Sequence, residues 1–257
     1  MEGDVFMRLC PTLLSGSLAL AGLTLATAPA QAIPLSLHVF ADGVQIGTVD
    51  ETRLGCVDNP DGVSAHCQVQ DLVYGGEYPL VNIDEINIDI DSDPVVTGTT
   101  GVTNLFATTQ QITLLFTLPI TSIPGATLSG GSYRGTLTDN NGDGATLAAP
   151  TGSALYTAQI DGVATQSLYP NPNSFSAGNF LSVNIPSTNF GSPIPSLLGG
   201  PALASIGIQL DFTLTGLDSA SFTSNHVVTA VPEPQTGALV GIGLAVLALV
   251  RRRSEKR

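Results

Sequence analysis

Between residues 35 and 230 the apolar side chains recur at every second position in short runs, and each run stops at Gly, Pro, Asn or Asp. Side chains alternating with period two line one face of a strand, whereas a helix needs a period near 3.6. The runs read as strands are LSLHVF (35–40), HCQVQDLVY (66–74), INIDI (86–90), QITLLFTL (111–118), SYRGTLT (132–138), ALYTAQI (154–160), NFLSVNI (179–185), IGIQLDFTL (206–214) and ASFTSNHVVT (220–229). Their spacing is uneven but often near the roughly 8–12 residues of a sandwich or barrel. Apart from one turn of helix expected near Ser196–Leu203, nothing in this span shows a sustained helical period with caps. The Pro/Gly-rich stretch IPSTNFGSPIPSLLGGP (185–201) reads as a long surface loop, and the strands on either side of it look alike. The prediction is all-β: a single β-sandwich, jelly-roll-like, over residues 33–230.

Charge narrows what such a body binds. Hydrophobic residues make up 43% of the chain and charged ones 11%, so a core is feasible and the surface must be mostly neutral-polar. Seventeen of the 21 acidic residues fall within 33–230, the others being Glu2, Asp4, Glu233 and Glu255. The cations of this span are Arg53 and Arg134, and it contains no Lys, which leaves a charge near −15. Such a field opposes nucleic-acid phosphates and anionic lipid and tolerates divalent cations and cationic partners.

The N-terminus reads as an export signal recognised by the Sec machinery. LCPTLLSGSLALAGLTLATAPAQA (9–32) is an apolar run closing on the small-x-small site Ala30-Gln31-Ala32, which places signal-peptidase cleavage after Ala32. Glu2 and Asp4 are out of character for such a signal; a start at Met7 leaves Arg8 alone as its charged region. Removal of the signal takes Cys10 with it, leaving Cys56 and Cys67 as an even pair in an oxidising compartment. A disulfide between them closes CVDNPDGVSAHC and removes roughly 3 kcal/mol of unfolded-state entropy.

Two acidic stretches invite a ligand. In VNIDEINIDIDSD (81–93), Ile86, Ile88 and Ile90 fall on one strand face and Asn87, Asp89 and Asp91 on the other. That row offers oxygens to a cation or a sugar, or equally a solvated face whose charges discourage edge-to-edge association. In TDNNGDGATL (138–147), Asp139, Asn141, Asp143 and Gly144 match the opening of a calcium loop, where alternate oxygens converge on one hard cation. The twelfth position is Pro150 rather than a bidentate Glu, so this is not an EF-hand. Two readings remain open: a looser calcium-binding turn, with Asp161 as a further ligand, or a plain turn using Asn-Gly and Asp-Gly for positive φ. For an enzyme there is little: His38, His66 and His226 lie on separate predicted strands, with no catalytic sequence signature and no glycine-rich phosphate loop.

The C-terminal segment differs from everything before it. Val231-Pro232-Glu233-Pro234 cannot continue a central strand, because neither proline donates an N–H. TGALVGIGLAVLALV (236–250) then runs 15 residues without a charge, about 22 Å as a helix at roughly 1.5 Å per residue. That is short of a comfortable span of about 20 residues, a gap closed by extension into neighbouring residues, bilayer thinning and snorkelling of Arg251, Arg252 and Arg253. RRRSEKR then stays on the cytoplasmic side under the positive-inside rule. These three unlike elements in order resemble the PEP-CTERM sorting signal of bacterial exported proteins. The resemblance implies recognition by a membrane-embedded exosortase that processes the chain near Pro232-Glu233-Pro234, with the three arginines as the cytoplasmic stop. It also implies a Gram-negative host and an association with extracellular polysaccharide and biofilm matrix. The body resembles the Thr/Gly-rich β domains common among such substrates.

The expected organisation is therefore a signal at 1–32, an extracytoplasmic β-sandwich at 33–230 and a sorting signal at 231–257 with a transmembrane helix at 236–250. The expected function is a non-enzymatic exported protein of surface or matrix, with no certain cofactor. The alternatives are a secreted carbohydrate- or calcium-binding module and, less favoured, a hydrolase acting on polysaccharide.

Overall fold

The computed structural model describes residues 35–60, 64–75, 80–91, 93–231 and 242–244. Among these, the period-two runs form strands, as do several stretches with weaker patterns. In chain order the strands are β1 (Ser36–Ala41), β2 (Val44–Val49), β3 (Cys56–Asp58), β4 (Ser64–Tyr74), β5 (Val81–Asp91), β6 (Val95–Asn104), β7 (Gln110–Pro119) and β8 (Thr127–Thr138). They continue as β9 (Ala145–Ala148), β10 (Ala154–Ile160), β11 (Val163–Pro170), β12 (Ser174–Ala177), β13 (Ser182–Phe190), β14 (Leu197–Gly199), β15 (Ser205–Leu214) and β16 (Ser219–Ala230). One sheet has the order β11-β10-β15-β7-β1-β2, with β9 beside β15 and β12 beside β9. The other has the order β13-β8-β16-β6-β5-β4-β3, with β14 also beside β8. The pairings are antiparallel.

The core lies between these two layers. Ile112, Leu114, Phe116 and Leu118 of β7 and Ile206, Ile208, Leu210, Phe212 and Leu214 of β15 are buried on one side. Tyr133 and Leu137 of β8, Phe222 and Val228 of β16, and the isoleucines of β5 are buried on the other. The Phe212 and Phe222 ring centroids lie 4.8 Å apart, joining the two layers directly. Two hydrogen bonds also cross the core: Tyr156 Oη–H donates to the Asn225 carbonyl at 2.7 Å, and His226 Nδ1–H donates to the Gly207 carbonyl at 3.1 Å. Gly131 makes room for the first, since a Cβ there would stand 2.7 Å from both Tyr156 Oη and the Asn225 carbonyl oxygen.

Several departures from the sequence reading have local causes. β5 extends back to Val81 because a bulge between Ile83 and Glu85 shifts its phase. Val81 and Ile83 before the bulge, and Ile86, Ile88 and Ile90 after it, thereby all reach the core. β6 (VVTGTTGVTN) escapes an apolar-periodicity search, yet it is a central strand between β5 and β16. The turn of helix expected near Ser196–Leu203 is instead the short strand β14, paired with Thr127–Ser129 of β8. The loop expected from 185 begins later, because β13 runs on to Phe190. Conversely Phe180 and Leu181, read as strand, form an exposed turn. Cys56 and Cys67 are register partners of β3 and β4 and are disulfide-bonded.

Strand direction gives the body two distinct poles. β15 and β16 are joined by the turn Thr215–Asp218, while His226 faces Gly207 near their far ends. Ser36 is the register partner of Thr117, and Pro119 that of Ser205, so β1 enters at the pole where β15 starts and β16 ends. The described chain thus enters at Leu35 and leaves at Val231 on the same pole. The turns at 139–144 and 215–218 lie roughly 40 Å away along the 12 residues of β16.

Burial lowers the His226 imidazole from 6.5 to about 4, against the opposing pull of the Gly207 carbonyl. The unfolded chain takes up this proton below pH 6.5 and the folded body only near pH 4. The contribution is therefore intact above pH 6.5 and declines by about 3 kcal/mol as pH falls to 4. Denaturant melts of His226→Leu across pH 7 to 4 are expected to lack this decline and so diverge from the parent protein.

Candidate functional site

The loop Asp139–Gly144 is the richest convergence of oxygen-bearing side chains among the described residues. Carboxylate oxygens of Asp139, Asp143 and Asp218 lie within 4.8 Å of one another. Two elements deliver them: the β8–β9 connection and the β15–β16 turn. Asn141 does not turn its oxygen inward; its Oδ1 accepts from the Asp143 N–H at 3.1 Å, and its Nδ2 donates to the Gly216 carbonyl at 3.3 Å. Asp161 lies at the opposite pole, which corrects the expectation that it joins this loop. Its carboxylate accepts the N–H groups of Leu203, Ala204 and Ser205 at 2.9, 2.6 and 2.9 Å.

The hydrogen bonds explain why these acids converge. Asp139 Oδ1 accepts from the N–H groups of Asn141 and Gly142 at 3.2 and 2.9 Å. Its Oδ2 accepts from those of Gly144 and Phe180 at 3.2 and 2.6 Å. A carboxylate offers about four lone-pair sites, and here four backbone donors take them. Burial opposes the charged form of Asp139, but these donors outweigh it and hold the carboxyl below the ordinary carboxylate range. Asp218, fully buried, behaves oppositely: burial raises it, and the neighbouring Asp139 raises it further, against hydrogen bonds from the Thr215 hydroxyl and the Asn140 N–H. Beside them Asn104, also fully buried, donates to the carbonyls of Thr108, Leu214 and Thr215. The residues tie the turns of this pole to one another.

Two carboxyls displaced in opposite directions is the pattern of a general acid and base. Access decides against that use here: Asp139 is 3% exposed and Asp218 0%, so neither reaches a sugar or peptide bond in bulk solvent. Asp143 is the exposed member of the three. The Phe180 ring lies over Gly142, where any Cβ would overlap it, and Gly142 has φ +88°, which favours glycine. Sequence reasoning missed Asn104 and Asp218, because their role exists only once three distant turns meet.

The remaining candidates are dispersed. His38 lies beside Gln45 and Thr48 on the β1–β2 pair, His66 Nδ1–H donates to Asp89 at 2.8 Å on the β4–β5 face, and His226 is in the core. On β5, Asn87 and Asp91 are half-buried and Asp89 is exposed, opposite the buried isoleucines. At the C-terminal end, the Val231 N–H donates to the Ala126 carbonyl at 3.0 Å, extending the β16–β8 pairing by one residue. Ala30, Ala32, Pro232, Glu233, Pro234, Arg251, Arg252 and Arg253 lie outside the described residues. So do the expected signal peptide and all of the 236–250 helix except 242–244, which are helical. Among the described residues no helix is long and apolar enough to cross a membrane.

Residues 230–253 match the PEP-CTERM protein-sorting motif. No curated protein gives a significant match to the chain. The motif begins at Ala230, the last residue of β16, so sorting signal and folded body meet without an intervening spacer. It marks an exported protein that is anchored in the membrane and then processed by exosortase.

Replacing Asp139 by Ala leaves four backbone N–H groups without their acceptor. The variant is expected to lower the Tm by roughly 5–10 °C in a calcium-free buffer, read by differential scanning calorimetry.

Proposed function

We propose that the chain is cargo: a non-enzymatic β-sandwich exported across the inner membrane, held there by its C-terminal helix, and released by exosortase to the outer surface or extracellular matrix of a Gram-negative cell. Its role outside is to contribute to an exopolysaccharide-associated matrix or biofilm. The observation that carries this reading is the sorting motif starting on the last strand of a disulfide-bonded body. The acidic, Lys-free surface supports it, since such a body stays soluble and does not adhere to anionic lipid after release. So does the chemistry of the polar cluster, in which the carboxylate oxygens of Asp139 and Asp218 are spent on holding turns. In this reading Sec delivers the chain, signal peptidase cuts after Ala32, and Pro232, Glu233 and Pro234 are read by the exosortase. Arg251, Arg252 and Arg253 hold the tail in the cytoplasm meanwhile.

A calcium-binding reading of Asp139, Asn141 and Asp143 stands second, and the convergence of three carboxylates favours it. It requires Asp143 and Asp218 to supply most of the ligands, because the lone pairs of Asp139 are engaged. A calorimetric titration of the exported body with millimolar Ca²⁺ decides it: heat that disappears in Asp143→Ala supports the site, and a flat trace removes it.

The sorting claim predicts that replacing Pro232, Glu233 and Pro234 by Ala strands the chain in the membrane fraction. Immunoblots of fractionated cells should show released protein falling at least tenfold while total protein stays level.

A further inference from the structure

Beside the exit of the chain lies a groove of about 420 Å³, lined by Leu198 and Gly199 of β14, by Gly200 and Pro201 after it, and by Asp161, Val163 and Gln166 of the β10–β11 hairpin. Its position relative to the tail follows from register. Ala230 of β16 and Gly199 of β14 are both partners of Thr127, one on each side of β8. Two strand spacings therefore separate them, about 10 Å. The buried Thr127 hydroxyl donates to the Gly200 carbonyl at 2.7 Å and fixes the groove wall to the strand next to the exit. Two apolar side chains stand open at this groove, Leu198 at 69% and Val163 at 66% exposure, with Leu203 nearby at 53%.

Chain length says what covers them. Val231 is held to the sheet by its N–H, and Pro234 is three residues further on. Three residues, however arranged, span no more than about 11 Å, and the five residues to Thr236, where the apolar run starts, span no more than about 18 Å. A protein that grips Pro232-Glu233-Pro234 must therefore come within about 11 Å of the strand end, a distance comparable to that separating the strand end from the groove. We propose that this pole is a docking surface for the exosortase, with Val163 and Leu198 in the contact. The proposal rests on the sorting function above and adds that the folded body, not the tail alone, takes part in recognition. The competing cover, an anionic bilayer surface, is disfavoured by Asp161 in the groove and by the charge near −15 of the whole body.

The test uses the full chain in cells that carry the processing enzyme, with processing followed by pulse-chase and gel shift. Val163→Asp combined with Leu198→Asp is compared with Leu217→Asp, an exposed site at the opposite pole, and export and thermal melting of each body are measured alongside. The double variant is expected to be processed at least fivefold more slowly, with export and melting unchanged and Leu217→Asp normal. A ten-residue Gly/Ser spacer inserted between Val231 and Pro232 is expected to restore its rate to that of the spaced parent, because the enzyme then no longer meets the pole. Wild-type processing of the double variant overturns the proposal. Slow processing that persists with the spacer also overturns it, by assigning the defect to the body itself. A parent chain that is never processed refutes the sorting function instead, so the two failures are distinguishable.

Discussion

The packing of β15 against β16 across the core is the constraint on which the rest of the structure depends. These strands are consecutive in the chain and belong to different sheets, so the turn Thr215–Asp218 both reverses direction and crosses the layers. Phe212 and Phe222 close the sandwich near that turn, and His226 reaches Gly207 toward the other end. With both ends fixed, the strands flanking β15 and β16 take their register, and the molecule acquires a pole of interlocked turns and a pole of chain ends. The second pole is where the C-terminal tail begins. Aromatic packing in the core thus fixes the pole from which the chain continues into its sorting motif.

The acidic residues divide between two tasks in a way their sequence pattern hides. Asp139 and Asp161 act as acceptors for backbone N–H groups, four and three respectively, and this lowers both carboxyls despite the desolvation that opposes it. Surface acids such as Asp89 and Asp143 instead place negative charge at the exposed face of the body. A D-x-N-x-D-G stretch fits both a cation loop and a turn whose first Asp caps its own backbone. The turn reading accounts for every lone pair on Asp139 without an ion.

Much of the fold was legible because burial on one face leaves a period of two. β1, β4, β7, β10, β15 and β16 lie within two residues of the boundaries read from the apolar alternation. What escaped was whatever lacks that signal. β6 is mostly Thr and Gly, and its buried Val96 and Val102 are too far apart to make an alternating apolar run, while Gly98 lies close against the backbone of β5. The phase shift at Asp84 was invisible because a bulge is a pairing event between β5 and β6 rather than a property of either strand. Phe180 and Leu181 looked like strand residues by composition but form a turn, held by an N–H bond from Phe180 to Asp139, 41 residues earlier. At the candidate site the same limit held: Asp139 and Asp143 were visible in sequence, while Asn104 and Asp218 depend on turns meeting in space. The sorting signal was the most legible feature of all, since its three elements are contiguous and need no tertiary context.

In the proposed function an acidic β-sandwich is the cargo, and the segment after its last strand is an address that is read at the membrane and removed. Intact-mass measurement of the protein recovered outside the cell tests it most directly. The expected chain begins after Ala32 and ends before Arg251, with Cys56 and Cys67 two mass units lighter than the free thiols. A recovered chain that still carries residues 251–257, from cells with an active exosortase, contradicts it.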